Sequence, residues 1–263
     1  MNIKEVVTTL ESFAPLPLQE SYDNAGLQVG LTATEVSGVL LCLDVTEKVI
    51  DEAVAKGCNL IVAHHPLLFR GLKQIGDKTQ AERCVTMALR KDIAIYAVHT
   101  NLDNAEGGVN YEIARRLGLE NVRFLQPNAQ GGGSGVIGNL PDEMSARAFL
   151  QLVKKEFGVE CMMHNELLQR PIKTVALCGG AGDFLLQEAV SRQADAFLTG
   201  EMHYHVYMGM EQTIQIAVAG HYQTEQYTKD LLAKILREQC DGLRVVVSQV
   251  NTNPIYYMCE QQN

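Results

Sequence analysis

The chain has 263 residues, of which 46% are hydrophobic and 20% are charged, and its formal net charge is −9. This length allows one large or two modest domains with a substantial core, and the composition is that of an ordinary globular protein. The negative charge argues against non-specific binding to nucleic acid or to an anionic membrane, because both need a basic surface on the protein.

The N-terminal residues and the cysteines together predict a cytoplasmic protein. Residues 1–7 mix charged with apolar side chains and lack the apolar core of a signal peptide, and no stretch approaches the length of a membrane span. The cysteines are widely scattered and form no Cys-x-x-Cys pair, which predicts reduced thiols rather than a disulfide framework or a zinc ribbon. They are Cys42, Cys58, Cys84, Cys161, Cys178, Cys240 and Cys259.

Helices and strands alternate in the predicted first half of the chain. Apolar residues at helical spacing, capping residues and short apolar runs give the boundaries. The predicted helices span residues 2–14, 46–57, 80–91 and 109–117, and the predicted strands span residues 38–44, 59–63 and 93–98. Residues 21–30 are polar and contain two glycines, and we predict a loop there. Strand, helix and strand in succession predict a βαβ unit with parallel pairing.

The second predicted strand ends at two adjacent histidines. The run Leu60–Ala63 is fully apolar and is followed by His64, His65 and Pro66. Such a run is typical of a strand buried on both faces, and the proline cannot continue the hydrogen-bond ladder. Ligands of open α/β sheets gather at the carboxyl ends of strands, so two imidazoles there favour a metal site. The alternative is that one histidine is a hydrogen-bonded structural residue and the other is merely exposed.

The next predicted strand ends in a similar way. His99 follows the strand over residues 93–98, and Asp103 lies four residues further on, before the helix over residues 109–117. Both are ligand types for a divalent metal. The alternative for Asp103 is a turn residue that precedes a helix.

A glycine-rich stretch over residues 126–135 is the clearest break in composition. We therefore predict an N-terminal α/β half over residues 1–127 and a C-terminal α/β half over residues 128–263, with the C-terminal segment able to pack back on the first half. The second half is predicted to contain strands near Val136 and over residues 160–163, 173–178, 195–200, 214–219 and 243–250, and helices over residues 144–157, 183–193 and 221–238.

Two features of the second half bear on function. Gly179, Gly180 and Gly182 lie between a strand and a helix, and they predict either an anion cradle or only a tight turn. His221 and Glu225 are four residues apart, so they share one face if a helix begins at His221. The sequence contains no Gly-x-x-x-x-Gly-Lys-Ser/Thr loop, which argues against a P-loop nucleotidase.

The strand-end groups form one candidate metal-binding set. Three imidazoles and two carboxylates are more than one catalytic zinc needs, and they suit two divalent ions, with zinc, iron, manganese or cobalt as the candidates. The set is His64, His65, Asp103, His221 and Glu225, with His99, Glu201, His203 and His205 nearby in the motifs.

Six stretches in chain order give the sequence a resemblance to a known family. They are Asp23–Gly30, Ala63–Leu67, Val98–Ala105, Cys178–Gly182, Thr199–Glu201 and Ala219–Glu225. The chain resembles the GTP cyclohydrolase 1 type 2 homologues, also called the NGG-one-interacting factor three-like proteins. The resemblance implies two similar α/β halves with mixed or parallel sheets flanked by helices, a dinuclear metal site in the cleft between them, and a homohexamer built as a trimer of dimers.

The resemblance also implies roles for individual residues. The metal ligands are expected to be His64, His65, Asp103, His221 and Glu225, which is the set collected above. Glu201, His205 and His99 are the candidate catalytic residues, with Glu201 and His99 expected to orient the ligands. His203 and His205 are expected to face the substrate.

The first functional hypothesis is a hydrolase that uses two divalent metal ions and acts on GTP, another nucleotide or another heterocyclic metabolite. The alternative is a non-catalytic, metal-binding hexamer with a regulatory or interaction role. A partner in the membrane is not expected. A ring that binds DNA is disfavoured by the net charge of −9.

Overall fold

The computed structural model describes residues 1–258, which form two compact α/β units, each built on one β-sheet. The first unit comprises Met1–Ala105 and Tyr227–Thr252. The second comprises Glu106–Gln226 and, among the described residues, 253–258. Two mixed sheets flanked by helices confirm the predicted fold class.

The elements have the following bounds. The helices are α1 (Ile3–Phe13), α2 (Glu47–Ala55), α3 (Gln80–Arg90), α4 (Thr100–Asp103), α5 (Val109–Arg116), α6 (Ala146–Phe157), α7 (Leu186–Ser191), α8 (His221–Glu225) and α9 (Thr228–Gln239). The strands are β1 (Gly26–Val29), β2 (Val39–Cys42), β3 (Leu60–Ala63), β4 (Ala94–Ala97), β5 (Glu120–Pro127), β6 (Gly133–Met144), β7 (Met163–His164), β8 (Ile172–Cys178), β9 (Ala196–Thr199), β10 (Gln215–Val218) and β11 (Val245–Val247). Short 3₁₀ turns span Leu16–Leu18, Asp183–Leu185 and Tyr204–Tyr207.

The sheet of the first unit has the strand order β1-β4-β3-β2-β11. Strands β4, β3, β2 and β11 are parallel, and β1 joins the edge antiparallel to β4. Every residue of β2, β3 and β4 is buried, which is why these strands are uninterrupted apolar runs. The carboxyl ends of these three neighbouring strands therefore lie along one edge of the sheet.

Alternate residues of this sheet pack on opposite layers of helices. Leu40 of β2 and Ile61 of β3 belong to one core cluster with Ile50 of α2 and Val85 of α3. Tyr96 of β4 is paired with Val62, the residue after Ile61, and therefore points to the other face of the sheet. There its hydroxyl donates a hydrogen bond of 2.7 Å to Glu11 of α1. Helix α9 contacts both α1 and β2, so it shares this second layer.

The sheet of the second unit has the strand order β5-β6-β8-β9-β10-β7. Strands β8, β9 and β10 are parallel, whereas β5, β6 and β8 form an antiparallel meander and β7 pairs antiparallel with β10. One core cluster joins Ile137, Ala176 and Phe197 of this sheet to Leu186 of α7. The carboxyl ends of β8, β9 and β10 therefore lie along one edge of this sheet, and the loops that follow them begin at Gly179, Gly200 and Ala219.

The boundary between the units differs from the sequence prediction, which divided the chain after residue 127. The contacts divide it between Ala105 and Glu106, and residues 227–252 belong to the first unit. The glycine-rich stretch is the turn of the β5–β6 hairpin, where Asn128 donates its N–H to the carbonyl of Gly132. Glycines are as common in hairpin turns as in linkers between domains, and in this chain they form a hairpin turn.

Several elements also differ from their predictions. Residues 21–30 contain strand β1, residues 120–127 form β5, and residues 100–103 form the short helix α4; none of these three elements was predicted. The predicted strand over residues 160–163 is reduced to the two residues of β7. The predicted helix over residues 221–238 is two helices, separated by a turn at Gln226 and Tyr227, where the chain passes from the second unit to the first.

The described cysteines are free thiols, as predicted. Cys161 is exposed and Cys178 is half-buried, whereas Cys42, Cys58, Cys84 and Cys240 are buried. Cys259 lies outside the described residues. No α-helix in the described part of the chain combines the length and apolar character that a bilayer crossing needs.

Candidate metal centre

His64 and His65 stand at the carboxyl end of β3, as the sequence predicts. Their backbone N–H groups donate to the carbonyls of Cys42 (3.2 Å) and Leu43 (3.0 Å), which extends the parallel ladder with the β2 segment beyond β3 itself. His64 is fully buried and His65 is half-buried. The ladder therefore fixes the backbone from which both imidazoles project.

Each imidazole of the first unit is held through Nδ1. The Nδ1 atom of His64 lies 2.8 Å from the carbonyl oxygen of Val98, and a carbonyl only accepts hydrogen bonds. Nδ1 of His65 lies 2.7 Å from Oδ1 of Asp44, and Nδ1 of His99 lies 2.7 Å from Oδ1 of Asp23. These acceptors place the proton on Nδ1, so the lone pair of each neutral ring is on Nε2.

These three imidazoles form a compact group. Ligand atoms of His64, His65 and His99 lie within 4.8 Å of one another. The ring centroids are 4.9, 5.3 and 5.4 Å apart, and Oδ1 of Asp103 lies 3.7 Å from Nε2 of His64. Helix α4 brings Asp103 back toward the strand end, one turn after His99. The first unit thus gathers three imidazoles and one carboxylate in an arrangement that could hold a metal ion.

The two carboxylates behind the imidazoles are kept ionised by their hydrogen bonds. Burial raises the pKa of Asp23, but hydrogen bonds from His99 and Thr100 outweigh burial and lower it from 3.8 to about 2. Burial likewise opposes ionisation of Asp44, and hydrogen bonds from His65 and Thr252 hold its pKa below the ordinary value. An ionised acceptor at Nδ1 holds the proton there and leaves the lone pair on Nε2, as in carboxylate–histidine–metal arrangements.

The second unit contributes His221 and Glu225 from helix α8. Nε2 of His221 lies 3.0 Å from Oε2 of Glu225, and Nδ1 of the same ring lies 2.9 Å from Oε1 of Glu201. The spacing of four residues on one helix face accounts for the first contact. Glu201 follows β9 and orients His221 in the way that Asp44 orients His65. The role predicted for Glu201, an acid that orients a ligand, stays a prediction that this geometry supports.

The glycine loop of the second unit packs against Glu225. The N–H groups of Gly179, Gly180 and Gly182 donate to side chains of Asn110, Thr224 and Thr199 at 2.9, 3.1 and 3.0 Å. These amides are already committed to the protein, so the tight-turn reading applies and the anion cradle does not.

Gly180 has a second function in this loop. Its φ is +59°, and a Cβ atom there would collide with Oε1 of Glu225 and lie 3.2 Å from Nε2 of His221. A residue without a side chain is therefore required for the close approach of Glu225 and His221 to this backbone.

The remaining two predicted histidines lie in and before the 3₁₀ turn over Tyr204–Tyr207. His203 is exposed, and its Nδ1 lies 2.5 Å from Oδ2 of Asp183; this hydrogen bond raises the pKa of His203. His205 is also exposed, and its ring packs edge-on against Tyr204 at a centroid distance of 5.3 Å. The catalytic role predicted for His205 and the substrate-facing role predicted for His203 stay predictions.

Asp23 and Asp44 are the residues that sequence reasoning missed. Asp44 ends the predicted strand over residues 38–44, so the strand-end argument that selected His64 applied to it as well. Asp23 begins the motif Asp23–Gly30 that contributed to the family resemblance, yet it was given no role. Asp44 is 21 residues from its partner and Asp23 is 76 residues from its partner, and only the folded sheet shows those pairings.

The two sheets and the clustered histidine and carboxylate side chains define an α/β protein with a candidate metal centre. The family model described as Duf34/NIF3 (NGG1p interacting factor 3) matches residues 1–254, and the chain belongs to this family.

Relatives in sequence and in structure agree with that assignment. A Lactococcus lactis protein named GTP cyclohydrolase 1 type 2 homolog is 34% identical over 261 residues, covering 97% of this chain and 99% of the relative. A Clostridium acetobutylicum protein of the same name is 31% identical over 263 residues, covering 97% and 98% of the two chains. The crystal structure of a Bacillus cereus protein related to NIF3 has a TM-score of 0.90 and 26% identity, covering 98% of this chain and 99% of that one.

Proposed function

We propose that this chain is a metal-dependent hydrolase that holds two divalent ions. The observation that carries the proposal is the group formed by His64, His65 and His99, whose ligand atoms lie within 4.8 Å of one another. Nitrogen donors at this spacing, with Nδ1 of each ring bound to an oxygen behind it, are typical of a metal site and unusual in a core.

The donor set fits zinc, iron, manganese or cobalt. The proposed ligands are His64, His65 and Asp103 in the first unit and His221 and Glu225 in the second. Imidazole nitrogen and carboxylate oxygen suit borderline divalent ions, and none of the proposed ligands is a cysteine. Five ligands are more than one catalytic zinc takes from a protein, which supports two ions.

The proposed chemistry is attack by water on an electrophilic carbon or phosphorus atom. Divalent ions bound at these residues supply Lewis acidity and lower the pKa of water toward neutrality. Asp44 and Asp23 fix the tautomers of His65 and His99, so that Nε2 of each ring keeps its lone pair, and Glu201 orients the ring of His221, whose Nε2 faces Glu225. Glu201, with a side chain 55% exposed, and His99 are the proposed proton carriers, with His205 as a third candidate.

The proposed substrate class is a nucleotide or another heterocyclic metabolite. Its support is the name of the relatives, GTP cyclohydrolase 1 type 2 homolog. We also propose that the chain self-associates, with a homohexamer as the arrangement that the family resemblance implies. Light scattering coupled to size-exclusion chromatography tests that assembly, and a monomeric mass would contradict it.

The first test is the metal content of protein purified without added metal. Elemental analysis would compare wild type with His65→Ala and Glu225→Ala, and with His164→Ala as a control, since the exposed side chain of His164 hydrogen-bonds to the carbonyl of the adjacent Asn165. We expect about two ions per chain in wild type and in the control, and a loss in both ligand variants, with circular dichroism unchanged.

Two outcomes would contradict the proposal. Wild type without metal, even after dialysis against micromolar Zn²⁺ or Mn²⁺, would reject the metal centre. Metal content unchanged in both ligand variants would reject the assignment of ligands. Metal bound without hydrolysis of any nucleotide tested would favour the non-catalytic alternative, a metal-binding regulatory protein.

A further inference from the structure

Two exposed aromatic rings lie beside the histidine group of the first unit. Phe69 is 45% exposed and Tyr22 is 63% exposed. The Phe69 ring meets His99 edge-on, with centroids 6.2 Å apart, and the Tyr22 ring lies 6.4 Å from that of Phe69. The rings therefore extend outward from one of the three imidazoles.

The backbone beneath these rings is firmly held. Tyr22 precedes Asp23, whose fully buried side chain accepts hydrogen bonds from His99 and Thr100. Phe69 follows Leu68, whose N–H donates to the side chain of Gln28 at 3.0 Å and whose carbonyl accepts from the side chain of Asn24 at 2.7 Å. Leu68 also packs against the core of the first unit.

Rigid anchoring of exposed aromatic side chains is the arrangement that binding sites use. Two neighbouring exposed rings beside polar nitrogen atoms form an apolar patch with a polar rim, which is the kind of surface that marks a ligand site. A ligand that stacks on these rings orders little of the chain, because the backbone that carries them is already held. The adjoining nitrogen atoms of His65 and His99 supply the polar end of the same site.

We propose that Tyr22 and Phe69 bind the planar heteroaromatic ring of the substrate and thereby select for that class of molecule. The inference rests on the proposed function, because it takes the histidine group as the reacting centre. Aromatic rings stack on every nucleobase, so the pair would recognise a flat ring without reading its hydrogen-bonding edge. A substrate without such a ring, such as a sugar phosphate, would gain nothing from this surface.

Isothermal titration calorimetry with nucleosides tests the inference. Guanosine and adenosine are suitable probes, since they carry the ring but no phosphate that could bind a metal directly. Ribose 5-phosphate is the ringless comparison. The full-length protein would be supplemented with Mn²⁺, and its metal content would be measured in the same preparations.

The variants distinguish the effect of an aromatic ring on nucleoside affinity from the effect of apolar side-chain volume. Tyr22→Leu and Phe69→Leu remove a ring but keep an apolar side chain, whereas Tyr22→Phe and Phe69→Tyr retain it. Because stacking on one aromatic residue contributes roughly tenfold to affinity, we expect each leucine variant to bind the nucleosides about tenfold more weakly. The ring-retaining variants are expected to match wild type within about twofold, and ribose 5-phosphate is expected to bind all variants alike. Leu31→Ala, at an exposed residue elsewhere in the unit, is the surface control.

Several results would overturn the inference. Nucleosides that bind the leucine variants as tightly as wild type, or that do not bind wild type at all, would reject stacking at these rings. A leucine variant with a changed molecular mass and unchanged nucleoside affinity would show that the rings contact a second copy of the chain. Metal retained by wild type in these cases would leave the proposed function intact, whereas wild type without metal would reject the proposed function itself.

Discussion

Nδ1 of His65 lies 2.7 Å from Oδ1 of Asp44, although the two residues are 21 positions apart in the chain. They meet because β2 and β3 are parallel neighbours, so the residues that follow each strand emerge at the same edge of the sheet. A second oxygen of Asp44 accepts a hydrogen bond of 2.7 Å from Thr252, which fixes the carboxylate in turn. The imidazole of His65 is therefore held in one orientation by the fold.

Replacing this carboxylate should weaken metal binding. The change Asp44→Asn keeps the shape of the side chain but removes the charge that retains the proton on Nδ1 of His65. Loss of such an outer partner typically costs 10- to 100-fold in metal affinity, and we expect about that loss here. Competition with a fluorescent Zn²⁺ chelator measures the affinity. Asp77→Asn, at an exposed residue, is the matched control, and equal affinities in the two variants would contradict the role of Asp44.

The glycine loop of the second unit allows a paired test. Gly180 and Gly158 have nearly the same φ, +59° and +62°, but only Gly180 has neighbours that a Cβ would meet. Both alanine variants should lose about 1–2 kcal/mol of stability from the left-handed backbone. Only Gly180→Ala should also weaken metal binding, by tenfold or more, because its Cβ displaces Glu225. Urea unfolding and metal titration of both variants give the comparison, and an equal effect on metal affinity would count against this packing.

Acid should selectively remove the contribution of Asp23 to stability. The pKa of this carboxyl is about 2 in the folded protein, against an ordinary value of 3.8. A depressed pKa stabilises the folded state above the unfolded value, and that stabilisation is lost as the pH falls toward 2. The stability difference between wild type and Asp23→Asn should therefore shrink from about pH 5 to about pH 3, as measured by urea unfolding with EDTA present. A difference that stays constant with pH would refute the assigned pKa.

Thiol reactivity should follow burial. Cys161 is exposed, whereas burial raises the pKa of Cys42 above its usual range and that of Cys84 to about 11. Because the thiolate is the reactive form, iodoacetamide at neutral pH should label Cys161 within minutes and leave Cys42 and Cys84 unmodified until the protein unfolds. Peptide mass spectrometry resolves the sites. Early labelling of Cys42 would show that the first sheet opens locally.

The sequence predicts the parts of this fold that depend on continuous local patterns. The strands that became β2, β3 and β4 are uninterrupted apolar runs, and their ends identify His64, His65 and His99 without any further information. Strand β1 was missed because its pattern is only half buried and it joins the sheet edge through antiparallel pairing with β4. Such pairing is decided by tertiary contact rather than by local composition.

The hydrogen-bond partners of the histidines could not be predicted in the same way. The pairing of His99 with Asp23 spans 76 residues and depends on where the β1 segment meets the β4 end. Similarly, no proline or glycine marks the break at Gln226 and Tyr227, and the predicted single helix is divided there by the passage of the chain between units. Local sequence carries no signal for an event of that kind.

The position of β11 at the edge of the first sheet has a consequence for synthesis on the ribosome. Residues 1–105 emerge first, but the strand that covers the edge of β2 belongs to residues 227–252. Every strand of the second sheet lies within residues 120–218, so that sheet can close while the edge of β2 is still bare. The sheet whose strands are translated first is thus completed last, and the edge of β2 stays unpaired until residues 245–247 have left the exit tunnel.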